Sequence, residues 1–324
     1  MAKYFLTGVA GFIASNVARI LLDRGDSVVA VDNLNDYYDV RLKRHRLEQL
    51  EGRSNFSFHH LDIENLDELE PLFAGEKFDA VINLAARAGV RYSLENPHVY
   101  LSTNAAGSLN LLELMRKHSI QKYVLASTSS LYAGQKMPFV ETLAVNTPIS
   151  PYAASKKAAE VMAYSYHNLF DFDVSVVRYF TVYGPAGRPD MCIFRFIHWI
   201  DQNQPIELFG DGSQSRDFTY VEDIATGTIA AADNAKGFEV FNLGGGKKPC
   251  TINEVIESIE RLLGKKAEIK FLPFHKADIK ETRADISKAK ELLAWEPQIP
   301  LEEGIENCVQ WYLDNHSWVR DVQL

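Results

Sequence analysis

Cysteine is scarce and scattered. The three thiols, Cys192, Cys250 and Cys308, are far apart, odd in number and in no paired spacing. That excludes a disulfide framework and a zinc cluster, and it fits a cytoplasmic chain with reduced thiols. Basic residues do not dominate either: 34 Lys and Arg stand against 43 Asp and Glu, for a net charge of −9. A general nucleic-acid binder needs a basic face, so that class is set aside. Local arginines can still grip an anionic ligand. No apolar run approaches the length of a membrane span, and the one near the N-terminus meets a glycine turn too soon for a signal peptide. His98, His118 and His198 share no ligand spacing, so no metal is expected. Internal repeats and low-complexity segments are absent. What remains is 324 residues, 46% hydrophobic and 24% charged. This is the composition of a globular chain with a real core, enough for one large domain or two modest ones.

The stretch Tyr152-Ala-Ala-Ser-Lys156 organises the rest. Residues four apart on a helix share a face, so the phenol and the ammonium are neighbours. An ammonium beside a phenol favours the phenolate, which could then act as a base. Pro151 suits a first helical turn and Ser150 could cap it. A solvated lysine beside a packed tyrosine gives the same spacing, so the pair needs support from elsewhere.

Support comes from the first half. Residues 3–7 form an apolar strand, followed by Gly8-Val-Ala-Gly11-Phe-Ile-Ala14, an amphipathic helix to about Arg24, and a strand from Ser27 ending at Asp32. Strand, glycine turn, helix, strand, acid is the order of a dinucleotide site. Glycines let backbone amides approach a pyrophosphate, and the helix N-terminus favours its charge. A carboxylate at Asp32 would bond a ribose and repel a 2′-phosphate, so NAD is expected over NADP. Further strands are expected at 55–60, 80–84, 122–126 and 173–179, with a long helix over 97–118. Asp62 is a candidate adenine contact or a helix cap. This alternation predicts a doubly wound parallel α/β sheet of Rossmann type, with the site at the strands' carboxyl ends. Four hydroxyls, Ser127-Thr128-Ser129-Ser130, follow the fifth strand and are expected to face that site.

The pieces Thr7-Gly8-Val9-Ala10-Gly11-Phe12-Ile13, Leu84-Ala85-Ala86, Ala126 to Tyr132, Tyr152-x-x-x-Lys156 and Arg216-Asp217-Phe218 resemble the extended short-chain dehydrogenase/reductases that act on nucleotide sugars. The resemblance implies NAD as cofactor, a UDP-sugar substrate and a homodimer paired through the helices near 97–117 and 152–170. It implies Thr128, Tyr152 and Lys156 as the catalytic trio. Gly8, Gly11, Phe12, Ile13, Asp32, Asn33, Asp62, Ile63, Leu84, Ala85 and Ala86 would join Tyr152 and Lys156 around the cofactor. Members that dehydrate or decarboxylate carry acids where this chain has Ser129 and Ser130. Three more segments are similar to the UDP-glucuronate 4-epimerase branch: 32–39, 88–93 and 179–191. For the sugar nucleotide the resemblance points to Arg91, Ser129, Ser130, Thr181, Arg188, Arg216 and Asp278. Branches acting on a neutral UDP-hexose or decarboxylating UDP-glucuronate are the alternatives, because Leu208-Phe209-Gly210-Asp211-Gly212 resembles theirs more closely. A cofactor-binding regulator without catalysis would not need the complete trio.

Beyond Arg188 the strand–helix rhythm breaks. Helices are expected at 193–202, 221–233, 251–263 and 301–313, with a strand over 216–220. The expected division is an NAD-binding domain over 1–180, its sheet completed by roughly 215–245, and a smaller α/β sugar-nucleotide domain over most of 181–324.

Overall fold

The computed structural model describes residues 1–274 and 280–324. Six strands arise in the first half: β1 (Lys3–Thr7), β2 (Ser27–Asp32), β3 (Phe56–His60), β4 (Ala80–Asn83), β5 (Lys122–Thr128) and β6 (Asp173–Tyr179). In the second half β7 (Thr181–Tyr183) pairs with β10 (Phe218–Tyr220), β8 (Ile206–Phe209) with β13 (Ile269–Leu272), and β9 (Ser215–Arg216) with β12 (Cys250–Thr251). The remaining strand, β11 (Phe238–Leu243), returns to the large sheet beside β6. The sheet order is β11-β6-β5-β4-β1-β2-β3, with every pairing parallel. The order reverses between β1 and β4, which opens a crevice at their carboxyl ends, as the doubly wound expectation requires.

Side chains alternate across this sheet. Tyr4, Leu6, Val28, Ala30, Ile82 and Val124 belong to one core, with the helices Phe12–Asp23 and Val221–Asp233. Phe5, Val29, Val31, Val81, Tyr123 and Leu125 belong to the opposite one, with Leu66–Gly75, Gly107–Lys117 and Pro151–Phe170. Burial on both faces explains why the strands read as nearly unbroken apolar runs. A third core gathers the helices Cys192–Asp201, Ile252–Leu263 and Leu301–Asp314.

Two expectations change in detail. The long helix contains a π-helical stretch, Leu101–Ala106, between the α-helical Pro97–Tyr100 and Gly107–Lys117. The expected strand over 216–220 is broken at Asp217. Its buried carboxylate accepts the amides of Ala284 (2.7 Å) and Gly246 (3.3 Å), bonds to other segments that a regular ladder does not call for. Burial pushes that carboxyl up to about 6.

One guanidinium ties the two halves together. Arg46, on the Val40–Glu48 helix and 4% exposed, donates to the carbonyls of Ala10 (3.1 Å), Ala186 (2.7 and 2.9 Å) and Gly187 (3.1 Å). It also donates to the Tyr38 hydroxyl at 2.6 Å.

Candidate functional site

A cleft of about 950 Å³ runs along the carboxyl ends of the sheet and out to the second region. At its inner end lies the first glycine turn. Gly8 has φ +72°, and a Cβ there would lie 2.8 Å from Ala85 Cα. The Gly8 carbonyl accepts the Gly11 amide at 2.8 Å, closing the turn before the helix that carries Phe12 and Ile13. Asp32, at the end of β2, accepts the amides of Ala10 (3.1 Å) and Leu34 (2.8 Å). Asn33 donates to Asp62 at 2.6 Å, joining the ends of β2 and β3. Asp62 does not cap the next helix, whose preceding residue is Asn65; its other oxygen accepts the Glu64 amide. Ile63, Leu84, Ala85 and Ala86 line the same end.

The middle of the cleft holds the Tyr152 helix. Ser150 caps it through the Ala153 amide (3.2 Å), and Pro151 occupies its first turn. The phenol of Tyr152 is hydrogen-bonded with Thr128, the last residue of β5. The expected effect of lysine on this phenol is not found. Burial pushes the Tyr152 hydroxyl above its ordinary value, and only Thr128 and Arg188 act against it. Lys156 turns to the Ala126 carbonyl, 3.0 Å away, and burial brings it down to about 8. Desolvation is the largest influence on both groups, and at Lys156 it is the Glu160 charge that acts against it.

The hydroxyl run also divides. Thr128, Ser129 and Ser130 line the cleft, and the Thr128 Oγ1 accepts the Ser130 amide at 3.1 Å. Ser127, in the lining as well, gives its hydroxyl to Glu160 at 2.6 Å. Successive side chains on β5 point to opposite faces, so the Ser127 and Thr128 hydroxyls find different partners.

The outer end collects cations. Thr181 and Arg188 enter from β7 and the turn after it. The Arg188 guanidinium makes a paired contact with Asp190 (3.0 and 2.5 Å); burial opposes its charge, but Asp190 outweighs that and holds it up. Arg91 stacks on Phe209 at 3.8 Å, and Arg216 donates to the Ser215 carbonyl at 2.8 Å. Asp278 lies outside the described residues. Every other residue expected to serve in catalysis, cofactor binding or substrate binding lines this cleft.

Several lining residues escaped the sequence reading. Arg195 stacks on Trp199 at 4.3 Å, its buried Nε has no hydrogen bond among the described residues, and burial followed by the nearby Arg91 lowers it. Lys43 donates to the Asn35 carbonyl at 2.6 Å and is brought down to about 8 by burial, against the pull of Asp32. Arg87 donates to Asn35 Oδ1 at 2.9 Å. Arg195 and Lys43 sit on helices where nothing in local spacing marks them. Arg87 directly follows Leu84-Ala85-Ala86, and that position was the available signal.

A family model described as the NAD dependent epimerase/dehydratase family matches residues 4–244. The chain is 57% identical over 324 residues, the whole of both chains, to the UDP-glucuronate 4-epimerase of Thermodesulfobacterium geofontis. Among solved structures it is similar to the UDP-glucuronic acid 4-epimerase of Bacillus cereus in complex with UDP-glucuronic acid and NAD. The TM-score is 0.91 at 36% identity, over 97% of this chain and 99% of that one. The UDP-glucose 4-epimerase of Thermotoga maritima with UDP-glucose gives a TM-score of 0.87 at 31% identity, over 97% and 99% of the two chains.

Proposed function

The chain belongs to the NAD dependent epimerase/dehydratase family, and from that premise we propose that it is a UDP-glucuronate 4-epimerase. It interconverts UDP-glucuronate and UDP-galacturonate through a 4-keto intermediate, with NAD tightly bound. The observation that carries the choice of sugar is the uncharged set Ser129, Ser130 and Thr181 in the cleft that holds Thr128 and Tyr152. Oxidising the 4-hydroxyl of a uronic acid creates a β-keto acid. Neutral hydroxyls can hold its carboxylate, whereas an acidic side chain would crowd and repel it.

The inner end of the cleft fits NAD. The Gly8–Gly11 turn leads into the helix start at Phe12 with no side chain at either glycine, and the Asp32 carboxylate suits a ribose diol and repels a 2′-phosphate. Gly8, Gly11, Phe12, Ile13, Asp32, Asn33, Asp62, Ile63 and Leu84–Ala86 would hold it there. NAD⁺, when bound, supplies the hydride acceptor and a positive ring that favours the phenolate. Tyr152 takes the proton from the sugar 4-hydroxyl while Thr128 bonds the same oxygen. Lys156, at about 8, can exchange a proton near neutral pH. Once the sugar has turned its other face for the return of the hydride to C4, Tyr152 gives the proton back to O4. Arg188 and Arg216 grip the UDP phosphates, guanidinium matching phosphate oxygens in pairs, with Arg91 beside them. The ion pair of Arg188 with Asp190 must then open or be shared.

Conversion of a neutral UDP-hexose is the second reading, favoured by Leu208–Gly212, whose Phe209 carries Arg91. Incubating the protein separately with UDP-glucuronate, UDP-glucose and UDP-N-acetylglucosamine, without added NAD, tests both by NMR. UDP-galacturonate is expected from the first; turnover of UDP-glucose alone overturns the assignment.

We further take residues 1–180, with roughly 215–245, as the NAD-binding domain, and 181–324 mainly as the sugar-nucleotide domain. Val161, Tyr164 and Leu169 are 50%, 53% and 67% exposed on the Tyr152 helix, and Leu101 is 60% exposed beside it. This apolar face suits a second copy of the chain, giving a homodimer. No helix among the described residues is long and apolar enough to cross a membrane. The three cysteines are unbonded, in keeping with a cytoplasmic site of action.

A further inference from the structure

Behind the hydroxyl run lies a buried ion pair for which the chemistry above has no use. Glu160 sits one helical turn beyond Lys156, and Arg178 lies on β6 directly across from Ser127 of β5. Arg178 Nε and Nη2 meet the two carboxylate oxygens at 2.9 and 2.8 Å, and both side chains are 3% exposed. Burying such a pair is costly, and apolar residues of similar volume often do as well or better for stability. Its partners suggest what it does instead. Glu160 accepts the Ser127 hydroxyl at 2.6 Å, immediately before Thr128. Arg178 Nη1 donates to the Tyr132 hydroxyl at 2.8 Å, two residues after Ser130. Tyr132 in turn donates to Asn242 of β11 (2.8 Å), and Asn242 donates to the carbonyls of Phe139 and Asp285. The short stretch Thr128–Ser130 is therefore held at both ends by one ion pair, with rigid strands behind it.

We propose that the Glu160–Arg178 pair is a positioning device for product fidelity: by fixing Ser127 and Tyr132 it holds the intervening hydroxyls where they keep the sugar carboxylate out of line with the 4-keto group. This rests on the reading of the site as a UDP-glucuronate epimerase. Decarboxylation of the 4-keto intermediate breaks the C5–C6 bond, releases CO₂ and passes the bonding pair into the C4 carbonyl as an enolate. The enolate then takes a proton at C5, and no further oxidant is consumed. The bond breaks readily only when it lies parallel to the carbonyl π orbitals, so a carboxylate held by loosened hydroxyls reaches that alignment more often.

The test compares wild type with Tyr132→Phe, Glu160→Gln and Arg178→Lys, using UDP-glucuronate labelled with ¹³C at the carboxyl carbon. The quantity read is labelled CO₂ released per UDP-galacturonate formed. Wild type is expected to epimerise with little release. Each variant that retains bound nicotinamide is expected to raise the ratio about tenfold, the effect of roughly 1.4 kcal/mol between competing barriers. A merely structural pair would slow both outcomes together, and an unchanged ratio in Tyr132→Phe and Glu160→Gln overturns the proposal. Tyr132→Phe removes a single hydroxyl, so it keeps the test decisive should Arg178→Lys not fold. If wild type itself fails to convert UDP-glucuronate, the functional reading falls and the clamp with it. If wild type converts it cleanly and the ratio does not move, only the clamp falls.

Discussion

The two ends of the cleft are built differently. The inner end is made of main chain: a glycine turn, the tips of β1, β2 and β4, and carboxylates bonded to backbone amides. The outer end is made of side chains brought from distant segments, where Arg91 rests on Phe209 and Arg195 on Trp199. Main-chain shape is set by local sequence, and so one cofactor can be kept while the sugar changes. The similarity to epimerases of both a uronic acid and a neutral hexose fits that division.

Breaking the chemistry where the two ends meet gives the largest effect. Tyr152→Phe should lower turnover roughly a hundred- to ten-thousand-fold, the usual worth of a positioned acid–base group, while bound nicotinamide absorbance is retained. Loss of the nicotinamide as well would place Tyr152 in the cofactor's wall and not in the reaction. Gly8→Ala attacks the inner end alone. Its φ of +72° disfavours any Cβ, and the added carbon meets Ala85 Cα at 2.8 Å. A penalty of about 2 kcal/mol or more should cut NAD retention roughly thirtyfold, read by absorbance of the purified protein.

Lys156→Met separates stability from function. The folded pKa of Lys156 lies below its ordinary value, so stability credited to the neutral lysine is present above 10.5 and is lost as pH falls through about 8. Below pH 8 the methionine variant should be more stable by on the order of 2 kcal/mol, the charging cost less one hydrogen bond. The advantage should shrink as pH rises from 8 towards 10.5, and urea unfolding at pH 7 and 10 reads the difference. The smallest effect is at the outer end. Ser130→Glu should raise CO₂ release from UDP-glucuronate by roughly tenfold relative to epimerisation, about 1.4 kcal/mol of barrier. An unchanged ratio would remove the case for neutral hydroxyls around the carboxylate.

The same division explains what the sequence made legible. β1, the glycine turn, β2 and Asp32 lie in one continuous stretch, so their relation could be read directly. The apolar period placed the helices Val221–Asp233 and Leu301–Asp314 to within a residue. The direction of the Tyr152 shift could not be read, because desolvation depends on everything packed around the phenol. The break at Asp217 depends on amides about thirty and nearly seventy residues away. Arg195 and Lys43 belong to helical faces whose outlook is decided only when another segment arrives.

Arg46 has a consequence for how the cleft can move. Its planar, rigid fork spans the Ala10 carbonyl in the glycine turn and the Ala186 and Gly187 carbonyls just before Arg188. Ala186 holds φ at +52°, a backbone state an alanine does not choose unaided. The two walls are thus hinged to one pin: neither the glycine turn nor the arm before Arg188 can be displaced without straining bonds to the same guanidinium.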